Sequence, residues 1–347
     1  MTSTLDDIGG WPAVLGAILN GEDLPASHTH VVMAVALAGE ATDAQIAAFI
    51  MGIRHKGETT EELTGMVEAM YDAATPLTAP EGAIDIVGMG GSSSRREAAL
   101  NISTMACFVA AAAGATVCKH GNRKASSTSG SFDLLETLGA KFDLSPERLE
   151  QVMRETGVGF AFARNFHPAM RYVGPVRAQL GIPTVFNVLG PLANPARVKR
   201  QVVGVADELM ADRMIEVLRA IGSEVAWVVT GDGALDELST SGPSQVRTLI
   251  DGEIVVSTVD PSSLGISPPG PGELAGGDAH ANAAIVGRVF AGERGAPRDI
   301  VLLNAAAGLV VAGIAADIAD GFERAMNAVD TGAAASKLDE HIAATLV

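Results

Sequence analysis

The stretch that decides the fold is Ala83-Ile-Asp-Ile-Val-Gly-Met-Gly-Gly91. Ala83 to Val87 alternates like a strand, and Gly88, Gly90 and Gly91 end it. A polar segment, Ser92 to Glu97, leads to Asn101-Ile-Ser-Thr104, where an apolar helix opens. Strand, glycine turn and helix in that order is the unit of a sheet with helical crossovers. The turn also has a chemical reading. Consecutive glycines let backbone N–H groups face an anion, and a helix start adds the positive end of its dipole. A plain tight turn is the competing reading, and the absence of a following Gly-Lys-Ser/Thr excludes a Walker loop.

Beyond this unit, short β-type runs at Thr116 to Lys119, Gln201 to Val205, Val225 to Thr230 and Glu253 to Val259 alternate with Ala- and Leu-rich helical stretches. The alternation predicts an α/β fold with a central, mostly parallel or mixed sheet covered by helices. Asp260 to Gly277, rich in Pro, Gly and Ser, reads as a surface loop. Before the unit, the first 75 residues read as helical. Thr42 with Gln45 and Thr59 with Glu62 fit the capping box. Ile46, Phe49, Ile50 and Ile53 then make one apolar face, and Leu63, Met66, Val67 and Met70 another. The Pro- and Ala-containing connection Pro76 to Gly82 separates this helical unit from the rest, and no internal repeat is evident.

At 347 residues the chain can bury a large core. Its 24 Lys and Arg against 41 Asp and Glu give a net charge of −17, scattered along the chain. Such a surface repels nucleic acid, and any phosphate site must be local, built from N–H groups, a few cations or a metal. Cys107 and Cys118 are too few for a disulfide framework and fit a reducing compartment. The acidic start Met1 to Asp7 lacks the basic region of a signal peptide. The uncharged runs Ala98 to Cys118 and Ile300 to Ala316 are interrupted by Asn, Ser, Thr or Gly and read as buried helices rather than membrane spans.

Three further motifs carry chemistry. Lys119-His-Gly-Asn-Arg123, followed by Ser126-Ser-Thr-Ser-Gly-Ser131 and Asp133, gathers cations, amides and hydroxyls suited to a ribose phosphate; the plainer reading has Ser131 capping a helix from Phe132. Gly231-Asp-Gly-Ala-Leu-Asp236-Glu237 puts adjacent carboxylates after a strand, where hard oxygen ligands suit Mg²⁺. Asn165-Phe-His-Pro-Ala-Met-Arg171, Gly174-Pro-Val-Arg177 and Phe186-Asn-Val-Leu-Gly-Pro-Leu192 offer Arg177 for a carboxylate and Phe166, Pro168 and Met170 for an apolar wall.

Together the four motifs resemble those of the anthranilate phosphoribosyltransferase family. The likeness runs from the helical N-terminus through Gly276-Gly-Asp-Ala-His-Ala-Asn282 to Asn304-Ala-Ala-Ala307. It implies a small α-helical domain over residues 1–75, joined by a helical segment around 165–185, and a large α/β domain over 76–347 of the nucleoside phosphorylase/phosphoribosyltransferase type. It also implies a cytoplasmic homodimer, with phosphoribosyl diphosphate and anthranilate as substrates and Mg²⁺ as cofactor. By motif position, Gly88, Gly90 and Gly91 with Asn101, Ser103, Thr104 and Lys119 hold phosphoribosyl diphosphate. Asp236 and Glu237 carry the metal with Ser103 nearby, and Asn122 with Arg177 holds anthranilate. His120, Gly121, Ser131, His167 and Met170 complete the substrate-binding set. An arylamine is neutral at pH 7 and nucleophilic, so no general base is assigned.

The chain departs from the family at the glycine turn. Met89 stands where Thr is usual, Ser92 where Asp is usual, and the spacer before Asn101 is longer, with Arg95 and Arg96 inside it. This predicts weaker diphosphate binding or slower turnover, unless the two arginines reach phosphate. Alternatives are an enzyme with another aromatic acceptor, a relative of the pyrimidine nucleoside phosphorylases, and a non-catalytic member that binds nucleic acid. The His167 to Arg171 stretch with Arg177 favours anthranilate over a nucleobase, and the net charge counts against nucleic acid.

Overall fold

The computed structural model describes residues 4–90, 100–123 and 129–347. Four helices come first: α1 Gly10–Leu19, α2 Ala26–Ala38, α3 Asp43–Lys56 and α4 Thr60–Asp72. Both expected capping boxes form. Thr42 and Gln45 exchange side-chain to N–H bonds at the start of α3, as do Thr59 and Glu62 at the start of α4. The eight apolar residues read from the spacing are all buried.

The chain then alternates strand and helix: β1 Ile84–Gly88, α5 Ile102–Ala112, β2 Val117–Gly121, α6 Ser131–Thr137, α7 Pro146–Thr156, β3 Val158–Phe162 and α8 Ala163–Phe166. It continues through α9 Met170–Leu180, α10 Val185–Leu192, β4 Arg200–Gly204, α11 Glu208–Ala220 and β5 Val225–Thr230. A hairpin of β6 Ser244–Ile250 and β7 Glu253–Val259 follows, then α12 Ala279–Phe290, α13 Ala296–Val311, α14 Ile318–Asp330 and α15 Ala333–Leu346. One seven-stranded sheet results, in the order β3-β2-β1-β4-β5-β6-β7. β1 to β5 are parallel; β6 and β7 run antiparallel.

Strand alternation divides the side chains between two cores. Val202 and Val229 face a core shared with α5 and α12 to α15, whereas Val203 and Val228 face one shared with α1 to α4 and α9 to α11. The first four helices therefore continue, through Val173, Val176 and Val185, into the layer that covers the sheet. The two uncharged runs become α5 and α13, packed together in the first core. Among the described residues no helix is long and apolar enough to cross a membrane.

Two strands escape the sequence reading. β3 is buried at every position, so nothing polar marks its alternation. β6 carries Arg247, which is buried because its guanidinium binds Asp212 Oδ1 at 2.5 Å and the Glu208 carbonyl at 3.3 Å. The loop from Asp260 to Gly277 is largely exposed as expected, apart from a short helical turn, Pro261–Leu264, that buries Pro261.

Candidate active site

The motifs converge on the carboxyl ends of the parallel strands. β1 and β4 end side by side with Gly88 in register with Gly204. The turn after β5 lies across both ends, and it does so because neither glycine has a side chain. A Cβ at Gly204 would sit 1.6 Å from the Asp236 carbonyl oxygen, and one at Gly88 would sit 2.8 Å from Asp236 Oδ2. Within that turn, Gly231 and Leu235 exchange backbone hydrogen bonds of 2.8 and 3.2 Å. Asp236, buried, accepts the Gly90 N–H on Oδ2 at 2.7 Å. Gly90 has a φ of +71°, in the left-handed region that favours glycine. The proposed diphosphate donor and the proposed metal carboxylate are thus in direct contact. Gly91 lies outside the described residues, as do Ser92, Arg95, Arg96 and Ser126.

Beside this turn, Lys119 is buried at the end of β2. Its ammonium donates to the Ile86 carbonyl at 2.5 Å and to Ser103 Oγ at 3.2 Å. Ser103 stays partly open at the start of α5, whereas Thr104 is closed into the core and its hydroxyl finds no partner among the described residues. Asn101 precedes α5 and ties three segments together: its Oδ1 accepts from Ser129 Oγ at 3.1 Å and from Asn282 Nδ2 at 2.8 Å.

The His120 and His167 rings lie 5.1 Å apart, tilted at 56° to each other. His120 Nδ1 lies 3.2 Å from the Gly190 carbonyl, and His167 Nε2 lies 2.9 Å from the Ala193 carbonyl, so both rings are anchored to the end of α10. Burial, added to by the neighbouring His167, pushes the His120 pKa down to about 3, and burial also lowers that of His167. Both are neutral rings at pH 7. Beneath them, Asp85 accepts from Asn194 Nδ2 at 2.8 Å and from the His120 N–H at 3.3 Å. Burial raises its pKa to about 6, against the lowering pull of Lys119.

Asn122 and Ser131 lie toward the surface, and Gly121 ends β2 with space for a Cβ only 3.4 Å from Phe132. Ser131 does not cap the helix that follows. The helix starts at Ser131 itself, with Gly130 as the cap residue, and Asp133 accepts the Gly130 N–H at 2.9 Å. A glycine in extended conformation followed by an acidic residue three positions on serves that end, so the serine is released from it.

Arg177 on α9 is partly buried with its guanidinium 5.1 Å from the Phe186 ring centroid. It makes no ion pair among the described residues, and burial lowers its pKa. A cation held in this way is disposed to take a carboxylate. Met170, also partly buried, packs on the same apolar cluster as Phe186, and so does Met89.

Sequence reasoning passed over the residues that hold these groups in place. Gly204 falls inside the β-type run Gln201 to Val205 and Asp85 inside the strand leading to Gly88; both take their roles from distant contacts, Gly204 with the Asp236 carbonyl and Asp85 with Asn194 and the His120 N–H. Asn304 did carry a signal, as the one amide in an apolar helical run from Ile300 to Leu309.

The helical layer over a mostly parallel sheet, matched by two domain models of one family, makes the chain a glycosyl-transferring enzyme of two parts. The helical bundle domain model of the glycosyl transferase family matches residues 12–74, and the a/b domain model of that family matches residues 80–335. More narrowly, the chain belongs to the anthranilate phosphoribosyltransferase family. It is 50% identical to the anthranilate phosphoribosyltransferase of Nocardioides sp. over 96% of this chain and 98% of that one. To that of Arthrobacter sp. it is 47% identical, over 96% of each chain. The Thermus thermophilus anthranilate phosphoribosyltransferase structure superposes with a TM-score of 0.89 at 38% identity, covering 96% of this chain and 99% of that one. The Saccharomyces cerevisiae enzyme, in complex with PRPP and Mg, gives 0.88 at 25% identity, covering 97% and 98%.

Proposed function

We propose that the protein transfers the phosphoribosyl group of phosphoribosyl diphosphate to the amine of anthranilate, forming N-(5-phosphoribosyl)anthranilate and diphosphate, in tryptophan biosynthesis. Relatives named for this activity support the reading over nearly the whole chain. The observation that carries it within the site is the contact of Gly90 N–H with Asp236 Oδ2. It brings a donor suited to a leaving diphosphate and a carboxylate suited to a divalent cation to one point at the strand ends.

In the reaction the amine lone pair forms the bond to C1 while the bond from C1 to the diphosphate oxygen breaks, its electron pair leaving with diphosphate. The amine proton passes to water. Charge develops as positive on the ribose and negative on the leaving group, so fixed donors contribute most of the help. Gly88, Gly90, Gly91, Asn101, Ser103 and Lys119 bind phosphoribosyl diphosphate, whereas Thr104, expected among them from the motif, is closed into the core and supports the start of α5 from behind. Lys119 is suited to this because Ile86 and Ser103 already hold its ammonium in place. His120, Gly121 and Ser131 belong to the same wall.

The donor set fits Mg²⁺: Asp236 and Glu237 are adjacent hard-oxygen ligands beside the donor turn, and Ser103 would stand near the ion. When bound, the ion neutralises charge on the diphosphate. The yeast relative's complex with PRPP and Mg supports the assignment. Arg177, aligned by Phe186, takes the anthranilate carboxylate with Asn122, and Met170 and His167 offer apolar and aromatic edges to its ring. The protein acts in the cytoplasm as a homodimer; sedimentation equilibrium at twice the chain mass is expected, and a monomer mass contradicts that part.

Mass spectrometry of a mixture with both substrates and Mg²⁺ tests the reading. Phosphoribosylated anthranilate and diphosphate in equal amounts are expected, and an unchanged anthranilate pool would overturn it.

A further inference from the structure

Asn304 lies on α13 and is buried to 2% exposure, the one polar side chain in a buried apolar stretch that runs from Ile300 to Leu309. An amide in such surroundings is costly unless its hydrogen bonds are met. They are met, two of the three by one residue. Asn304 Nδ2 donates to the Leu238 carbonyl at 3.0 Å, and Asn304 Oδ1 accepts the Leu238 N–H at 3.0 Å. The second amide proton goes to the Ile300 carbonyl at 2.9 Å, within the same helix. Turned over, the amide would set donor against donor at Leu238, so the orientation is fixed by its partners.

Leu238 directly follows Glu237. The two carboxylate-bearing residues are thus gripped from both sides. At the pair itself, the Asp236 and Glu237 carbonyl oxygens lie against Gly204 and Gly231, where an added Cβ would come within 1.6 and 2.2 Å. After them, both backbone groups of Leu238 are held by a side chain that comes from a different layer of the fold. The close glycine contacts limit where the turn lies, the Gly231 and Leu235 backbone bonds hold it before the pair, and the Gly90 N–H holds the Asp236 side chain. The Asn304 amide is the two-point contact that fixes the backbone directly after the pair.

We infer that Asn304 is a positioning residue for the Asp236–Glu237 pair: by clamping the Leu238 peptide it presets the carboxylates for a divalent cation. The inference rests on the reading of that pair as the metal site. A purely structural amide would affect stability alone; a positioning amide also sets cation affinity in the folded protein, with outer-sphere partners commonly changing it by about 10- to 100-fold.

The test is titration of Mn²⁺ into the full chain with neither phosphoribosyl diphosphate nor anthranilate present, followed by the loss of free-ion electron paramagnetic resonance signal. Asn304→Asp keeps the shape and the acceptor for the Leu238 N–H but opposes the Leu238 carbonyl, and Asn304→Ala removes both contacts. Folded samples of either variant, judged by a cooperative melt, are expected to bind Mn²⁺ at least about tenfold more weakly. At saturating metal the KM for anthranilate should change less than twofold. Wild-type Mn²⁺ affinity in a folded variant would overturn the inference. Asp236→Ala with Glu237→Ala is the control: if that double variant still binds Mn²⁺ as the wild type does, the metal assignment fails rather than the clamp. Should neither Asn304 variant fold, hydrogen exchange of the wild-type Leu238 amide decides. Protection as deep as that of α13 is expected, and exchange as fast as in the exposed loop from Asp260 to Gly277 would overturn the inference.

Discussion

The Gly90 N–H donates to Asp236 Oδ2 across 2.7 Å, linking the turn after β1 to the turn after β5. Two stretches separated by more than a hundred residues meet there because β1, β4 and β5 are neighbours and end at one level. A substrate diphosphate competing for Gly90 and a cation competing for Asp236 would both act on the same hydrogen bond, so the two requirements of the reaction share one junction.

Replacing both Asp236 and Glu237 by Ala should lower kcat by roughly 10²-fold or more while the fold persists, since charge stabilisation at the leaving group is lost. Steady-state rates over a Mg²⁺ series, with circular dichroism as the folding check, measure it. Full activity of the double variant at saturating substrates would contradict the metal assignment.

Gly204→Ala forces a carbon onto the Asp236 carbonyl oxygen, with backbone on both sides and no flexible side chain to yield. Overpacking of this kind should cost about 3 kcal/mol and shift the acidic turn. A lower melting temperature together with weaker Mg²⁺ activation is the expected pair of results; an unchanged melt would mean that the turn moves freely away from β4.

Arg177→Ala should raise the anthranilate KM roughly tenfold to a hundredfold, the equivalent of about 1.5–3 kcal/mol for a charge-assisted contact. The KM for phosphoribosyl diphosphate should stay within about twofold of the wild type, a few tenths of a kcal/mol. Equal shifts in both constants would move the acceptor pocket elsewhere.

His341 on α15 is buried between Phe108 and Phe160, with Nδ1 3.2 Å from the Val158 carbonyl. Burial pushes its pKa down to about 4, from an ordinary value of 6.5. The unfolded chain therefore takes up a proton below pH 6.5 that the folded chain refuses until about pH 4. Stability falls as pH drops through that window, by a few kcal/mol in all, at about 1.4 kcal/mol per pH unit. His120 acts in the same direction and Asp85, with its raised pKa, in the opposite one. Urea melts of His341→Phe should show a flatter pH dependence between pH 6.5 and 4 than the wild type; parallel slopes would contradict the assignment.

Much of this was legible in the sequence where a local rule was enough. Capping boxes at Thr42 and Thr59, the apolar faces of α3 and α4 and the strand into Gly88 depend only on residues a few positions apart. The site elements were legible as motifs, since Lys119, Asp236 and Arg177 sit in dense runs of unusual composition. What stayed hidden depends on contacts between distant segments. That the Gly90 N–H is met by Asp236, that His120 and His167 lean on α10, and that Asn304 grips Leu238 follow from strand order and helix layering. β3 was hidden for a related reason: a strand covered on both faces loses the alternation that would reveal it.

The most direct test of the central claim follows the intrinsic fluorescence of anthranilate with purified protein, phosphoribosyl diphosphate and Mg²⁺. The account predicts a steady loss of anthranilate fluorescence that requires all three components and stops when the metal is chelated. Fluorescence that stays constant with folded protein and both substrates would contradict it.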